Sequence, residues 1–252
     1  MILGRLLKRS FHIKFKNRTS AGEILASVLT DYFKKEGRTG LVTVLAIPRG
    51  GVIIGDAIAS KFIRSEFDIV IPRKLGAPNN PELAIGAVMQ DRTAYLNERL
   101  IRTLQVSTEY IDGEIDRQVH EVQRRISLYR PASKPYNLSG RSVIIADDGI
   151  ATGATVMVVA MWIKKYNPAS VLIAVPVAPE DTVTELSRDG NKVEVITTPS
   201  SFGSVGQFYE NFNQVTDEEV KEVASLGGNV SALVPPVVQR ALLERFSGKQ
   251  PA

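Results

Sequence analysis

A parallel α/β sheet with helices on its faces is the fold this sequence predicts, and three observations predict it. Five short runs, 41–47, 67–71, 142–146, 171–177 and 193–196, are apolar at nearly every position instead of alternating, the pattern of strands covered on both sides. Helical patterns separate several of them, at 51–62, 154–166 and 179–188, the last opening on Pro179 and stopping before Gly190. The chain has 252 residues, 44% of them hydrophobic, enough to bury a full core.

Taken in order, the elements suggest a core with a cap. Phe11, Ile13 and Phe15 alternate with His12, Lys14 and Lys16, which predicts a short strand near the start. The run 41–47 leads through Pro48, Arg49, Gly50 and Gly51 directly into a helix. After 67–71, the stretch 72–82 holds Gly76 and three prolines, so a mobile surface loop is expected there, with the next strand starting near Ala84. Ser107 caps a longer helix whose Ile111, Ile115, Val119, Val122 and Ile126 share one face. That stripe serves either its own sheet or a dimer contact. Beyond Thr198, residues 199–209 are turn-rich and aromatic and read as an ordered loop, and one further helix is expected at 237–246. The expected division is 1–40 contributing to a cap, 41–198 as core, and 199–252 as cap and tail.

Composition removes whole classes of chemistry. No apolar run approaches the ~20 residues of a membrane helix, and Arg5, Lys8 and Arg9 interrupt the start without a cleavage site, so a cytoplasmic location is expected. Cysteine is absent, which excludes disulfides, thiolate metal sites and cysteine nucleophiles. The two histidines, His12 and His120, belong to no ligand-spaced cluster and read as surface or packing residues. A net charge of +4 suggests phosphate-bearing partners without separating nucleic acid from a small molecule.

The informative segment is Asp147-Asp148-Gly149-Ile150-Ala151-Thr152-Gly153-Ala154-Thr155. It joins a buried strand to an apolar helix, at the carboxyl edge where open parallel sheets bind ligands. Ala151, Thr152, Gly153, Ala154 and Thr155 are small, so backbone amides can wrap a monophosphate at a helix N-terminus, where the dipole favours anions. Asp147 and Asp148 would repel that phosphate; they suit the vicinal hydroxyls of an attached sugar, or a magnesium ion shared with a further phosphate. Phosphate beside a diol describes a ribose 5-phosphate. At the first strand, Gly50 and Gly51 expose amides and Arg49 offers a forked contact to pyrophosphate oxygens; a tight turn with a solvated arginine is the plain alternative.

The stretch from Val143 to Thr155 resembles the phosphoribosyl pyrophosphate motif of type I phosphoribosyltransferases. Pro48-Arg49-Gly50-Gly51 is similar to a segment at the same place in some purine enzymes of that family, and 72–82 resembles its catalytic flexible loop. From about Phe15 to Val220 the chain is similar to a group of bacterial and archaeal predicted phosphoribosyltransferases with no assigned acceptor, sharing Phe15-Lys16-Asn17-Arg18 and Arg73-Lys74-Leu75-Gly76-Ala77-Pro78. The resemblance implies an α/β core with a small hood, Mg2+ as cofactor held at Asp147 and Asp148 indirectly through ribose and water, and a homodimer. It implies transfer of the phosphoribosyl group to a base, with Arg49, Arg73, Lys74 and the metal stabilising the departing pyrophosphate while Asp147 and Asp148 fix the ribose.

Enzymes for 6-oxopurines carry an acid where this chain has Ala151, whereas adenine enzymes have Ala-Thr-Gly there and a glutamate in the flexible loop. Adenine and Glu82 are therefore the expected acceptor and acid/base residue, against the reading of Glu82 as an ordinary exposed glutamate. Phe202, Phe208 and Tyr209 either stack on the base or form the cap's own core. The rival function is a non-catalytic sensor of the donor that binds RNA; no nucleic-acid-binding module is legible, so a nucleic-acid partner is not expected. Donor synthesis needs two copies of the domain, and one is present.

Overall fold

The computed structural model describes residues 13–37, 40–62, 65–130, 134–188 and 190–225. The expectations for Phe11 and His12 and for a helix at 237–246 lie outside the described residues. In chain order the elements are α1 (Arg18–Lys35), β1 (Val42–Ala46), α2 (Gly50–Ala59), β2 (Ser65–Ile69), β3 (Arg73–Ala77), β4 (Asn80–Val88), β5 (Ala94–Leu96), α3 (Glu98–Leu104) and α4 (Thr108–Tyr129). There follow β6 (Ser142–Ala146), α5 (Ala154–Lys164), β7 (Ser170–Val177), α6 (Glu180–Arg188), β8 (Lys192–Thr197), a 3-10 turn (Val205–Phe208) and α7 (Asp217–Ser225).

Strands β2-β1-β6-β7-β8 form one parallel sheet in that order. Its two central strands are buried at all five positions, which is why they read as unbroken apolar runs. Successive side chains leave opposite faces. Leu45, Val143 and Ile145 meet the buried face of α5, where Trp162 lies 4.8 Å from both Tyr136 and Tyr166, while Val44 and Ile144 meet α1 and α2. No helix among the described residues is long and apolar enough to cross a membrane.

Helix α1 was not expected from the sequence. Its start is fixed by a reciprocal cap: Ser20 N donates to Asn17 Oδ1 at 2.9 Å and Asn17 N donates to Ser20 Oγ at 3.2 Å. Ala21, Leu25, Ala26, Leu29 and Phe33 then fall on one buried face; each fully buried leucine contributes roughly 2 kcal/mol. A Cβ at Gly22 would stand 2.7 Å from Ala57 Cβ, so a glycine permits the close approach of α1 to α2.

The stretch expected to be a mobile loop is instead β3 and the start of β4, an antiparallel ribbon extended by β5. Two features disguised it. The pairing shifts register around Gly76, and the tip residue Asn79 has a φ of 61°, so the prolines and glycine sit at irregularities where a strand accepts them. Helix α4 anchors the bulge: Tyr110 OH donates to Gly76 O at 3.0 Å, and Gly76 N donates to Glu114 Oε1 at 3.3 Å. The apolar stripe of α4 is covered within the chain, Ile111 and Ile115 by β3 and β4, Val122 and Ile126 by the cluster around β2 and α7.

Near the start, Phe15 makes a single parallel bridge to Tyr209 in place of a regular strand. Phe15 N donates to Phe208 O at 2.7 Å, and Glu210 N and Asn211 N donate to Phe15 O and Lys16 O. The two chain segments thus close over the same end of the sheet.

Candidate active site

From β1 the chain moves outward to β2, and on returning it places β6 on the other side of β1. Connections that leave in opposite directions open a crevice at the carboxyl ends of those two strands. The turns after β1 and β6 meet in it with almost no space between them. A Cβ at Gly50 would lie 1.8 Å from Asp148 Oδ2, and one at Gly51 would lie 2.7 Å from Ala146 O and 2.8 Å from the Asp147 Cα. A side chain at Gly50 would displace the Asp148 carboxylate, and one at Gly51 would force the turns apart.

The two acids are half-buried and differ in their partners. Asp147 Oδ1 accepts from Asp148 N at 2.8 Å. Asp148 Oδ2 accepts from Arg18 Nε at 2.7 Å, in a pair whose side chains are 10% and 15% exposed. Burial, and then the charge of Asp148, hold the Asp147 carboxyl well above the usual carboxylate range. Burial also raises Asp148, against the opposing pull of Arg18. The pair is short of positive charge, so a cation or hydroxyl donors brought to it would relieve that shortage.

Arg18 is the functional residue that sequence reasoning missed as an individual. Its Nη1 donates to Asn213 O at 2.7 Å, and its guanidinium lies 3.8 Å from the centre of the Phe212 ring. Tyr209 OH adds a 2.6 Å hydrogen bond to Asp148 O. Asp148 is therefore tied to the segment that closes over the sheet. One signal was available: Arg18 opens α1, whose first turn holds no acid, and a cation at a helix N-terminus is disfavoured unless something else holds it.

The turn after β6 presents a helix start without a side-chain cap. Gly153 has a φ of 79° and no side chain caps α5, leaving the first amides of that helix available for an anion. Ile150 N is already committed to Val177 O, and Thr182 Oγ1 donates to Ala151 O at 2.9 Å, holding the turn in place. Ala151 and Thr152 are exposed, Gly153 and Thr155 half-buried and Ala154 buried. A Cβ at Gly149 would meet Val205 at 2.6 Å, so the closing segment rests directly on this turn.

The remaining expected residues divide. Arg49 stands at the start of α2 without a side-chain capping bond, and its guanidinium lies 3.6 Å from Asp217 of α7. Arg73 and Lys74 were expected to face one pyrophosphate side by side. Neighbours on a strand point to opposite faces: the Lys74 charge acts on Asp147, whereas Arg73 Nε donates to Gln118 of α4 at 3.1 Å. Glu82 is exposed on the outer part of the ribbon. Tyr209, left open between stacking on a base and cap core, is 3% exposed and packs against Phe15 and Phe212, with ring centres 5.4 and 5.0 Å away; its ring is cap core. Phe202 is half-buried beside Phe208. Phe212, 36% exposed, presents more open aromatic surface.

Among the described residues no group of three or more His, Asp or Glu side chains could hold a metal ion. Asp147 and Asp148 supply hard oxygen donors only, which suits a magnesium ion that keeps waters and takes its other oxygens from a substrate.

Comparison with known proteins agrees with this geometry. The model of the phosphoribosyl transferase domain matches residues 20–213. Two Mycobacterium tuberculosis proteins with provisional phosphoribosyl transferase names, MT0597 and Rv0571c, are each 35% identical over 231 residues, covering 88% of this chain and 51% of theirs. The chain thus spans about half the length of these curated relatives. The crystal structure of TT1426 from Thermus thermophilus, 34% identical, superposes with a TM-score of 0.70 over 85% of this chain and 99% of that one. On that match and on the fold, this chain belongs to the phosphoribosyl transferase domain family.

Proposed function

We propose that this chain moves the 5-phosphoribosyl group from 5-phosphoribosyl 1-pyrophosphate to a nitrogenous base, releasing pyrophosphate. The observation that carries this is the cation-poor pair Asp147 and Asp148, set against Gly50 of the neighbouring turn, in the loop that ends at the uncapped start of α5. The amides from Ala151 to Thr155, with the hydroxyls of Thr152 and Thr155, take the 5-phosphate. Asp147 and Asp148 accept from the ribose hydroxyls and favour positive charge developing on the sugar ring. Arg49 and the amides of Gly50 and Gly51 receive the pyrophosphate, with Lys74 reaching in from β3.

Magnesium, when bound with the donor, would neutralise charge on the departing pyrophosphate. Adenine is the base we favour, because Ala151 supplies no acid for a 6-oxopurine, and Glu82 on the ribbon is the proposed acid/base residue. The base would lie against Phe202 and the open side of Phe212. We take the working unit to be a homodimer; a sedimentation mass of one chain would remove that part.

The test is incubation of the chain with labelled donor, magnesium and a panel of bases, following pyrophosphate release. Turnover with adenine alone supports the reading in full. Donor binding without turnover on any base would overturn it in favour of a non-catalytic sensor.

A further inference from the structure

On the other face of β3, away from Lys74, an open cleft of about 410 Å3 is lined by Arg73, Arg117, Gln118, His120, Glu121 and Arg124. Four of these follow helical spacing, 117, 120, 121 and 124, which sets them on one side of α4. Every lining side chain carries a polar or charged end, and the one ring among them is the imidazole of His120.

Charge is unbalanced in and around this cleft. Arg73, Arg117, Arg124 and Arg125 face two carboxylates. Glu114 is buried and shared with Gly76 N and Gln118, and Glu121 holds both Arg124 and Arg125 at 2.7 Å. Asp217 also acts on Arg124 and Arg125 but takes Arg49 at 3.6 Å, so five guanidinium groups face three carboxylates and two are left over before His120 is counted. Arg73 is the sharpest case: it is half-buried, and among the described residues its one hydrogen-bond partner is the neutral Gln118. Burial, then the Arg125 charge, press its proton affinity below the ordinary arginine value. A half-buried guanidinium in this state gains from a bound anion.

We propose that this cleft is a second anion site, separate from the transfer site, that takes a ligand through a pyrophosphate or longer phosphate chain. Several forked guanidinium groups around one open volume match several phosphoryl groups, whereas a single carboxylate would leave most of them unmatched. Because Arg73 and Lys74 are neighbours on β3, occupation of the cleft would act on the strand that brings Lys74 to Asp147.

Calorimetric titration of the full chain with inorganic pyrophosphate tests this, alongside the variant His120→Glu/Arg124→Gln. Both positions are exposed, and Glu121 keeps Arg125 in the variant. The parent is expected to show two sites per chain, and the variant to lose one or weaken it at least tenfold while donor affinity stays unchanged. One parental site that the variant abolishes would still support the cleft, and would count against the transfer site. A variant with every parental site intact would overturn the proposal. Should the pair misfold, His120→Glu alone gives the same reading. A parallel titration with adenosine diphosphate identifies the source: tighter binding than pyrophosphate points to a nucleotide, equal binding to free polyphosphate.

Discussion

Two charged regions of this molecule lie on opposite faces of the same strand, and they are unbalanced in opposite senses. At the turn after β6, two half-buried carboxylates share one guanidinium, and their proton affinity rises. Between β3 and α4, guanidinium groups outnumber the carboxylates they share, and the proton affinity of Arg73 falls. A surface with no ligand to bind would settle into matched pairs, since buried charge without a partner is costly. On the proposals made above, the first region receives a cation or a polyhydroxylated ligand and the second an anion.

The comparison breaks most sharply at the acids. Replacing both Asp147 and Asp148 by asparagine is expected to lower kcat/KM for the donor about a thousandfold, followed as pyrophosphate release. The stability of this variant at pH 8 is the sum of two opposed changes: relief of two half-buried carboxyls whose raised folded proton affinity stabilises the fold only at low pH, and loss of the partner that holds Arg18. Unchanged kinetics would remove the site assignment.

Arg18 sets how far the acidic region depends on its one internal cation. Arg18→Met leaves Asp148 half-buried without its partner and Asn213 O without its donor, and should cost about 3 kcal/mol in denaturant unfolding. Arg18→Lys should recover only part of this, because a lysine cannot hold Asp148 and Asn213 with one planar group. A loss below about 1 kcal/mol would mean that the pair is solvated and that the closing segment is held by its apolar contacts instead.

The two faces of β3 can be separated by adjacent substitutions. Lys74→Met should raise the donor dissociation constant about tenfold, the loss of one charge contact, and Arg73→Met should raise it less. The reverse order would place Arg73 in the transfer site and merge the two regions.

Which of these features the sequence disclosed follows from how local each one is. The five parallel strands were legible because burial on both faces removes polar residues from them. The small-residue turn was legible because its acids, threonines and glycines stand within nine positions. The ribbon was not: Gly76, Pro78 and Pro81 carry the same composition whether they bulge a strand or free a loop, and the contacts that decide it come from Tyr110 and Glu114 on α4. Helix α1 did leave a local record, in the Asn17 to Ser20 cap and the spacing of Leu25 and Leu29, but the alternation of residues 11–16 just before it carries the signature of a strand. Arg18 lies 130 positions from Asp148, so no spacing could join them. The split between Arg73 and Lys74 needed only the knowledge that they sit on a strand.

A third carboxylate calibrates the comparison, because burial acts on it alone. Asp56 on α2 has its carboxyl pushed up to about 6 by desolvation, and its Oδ1 has no hydrogen-bond partner among the described residues. The folded chain therefore holds this proton to higher pH than the unfolded chain does, so stability present below about pH 4 declines as pH rises through 6. Asp56→Asn should leave stability unchanged at pH 4 and raise it on the order of 1 kcal/mol at pH 8, after allowance for the remaining contact with water. Thermal unfolding at the two pH values reads this directly. If Asp56→Asn gives no gain at pH 8, burial alone is too weak in this fold to shift a carboxyl, and a rise at Asp147 would rest on the neighbouring charge of Asp148.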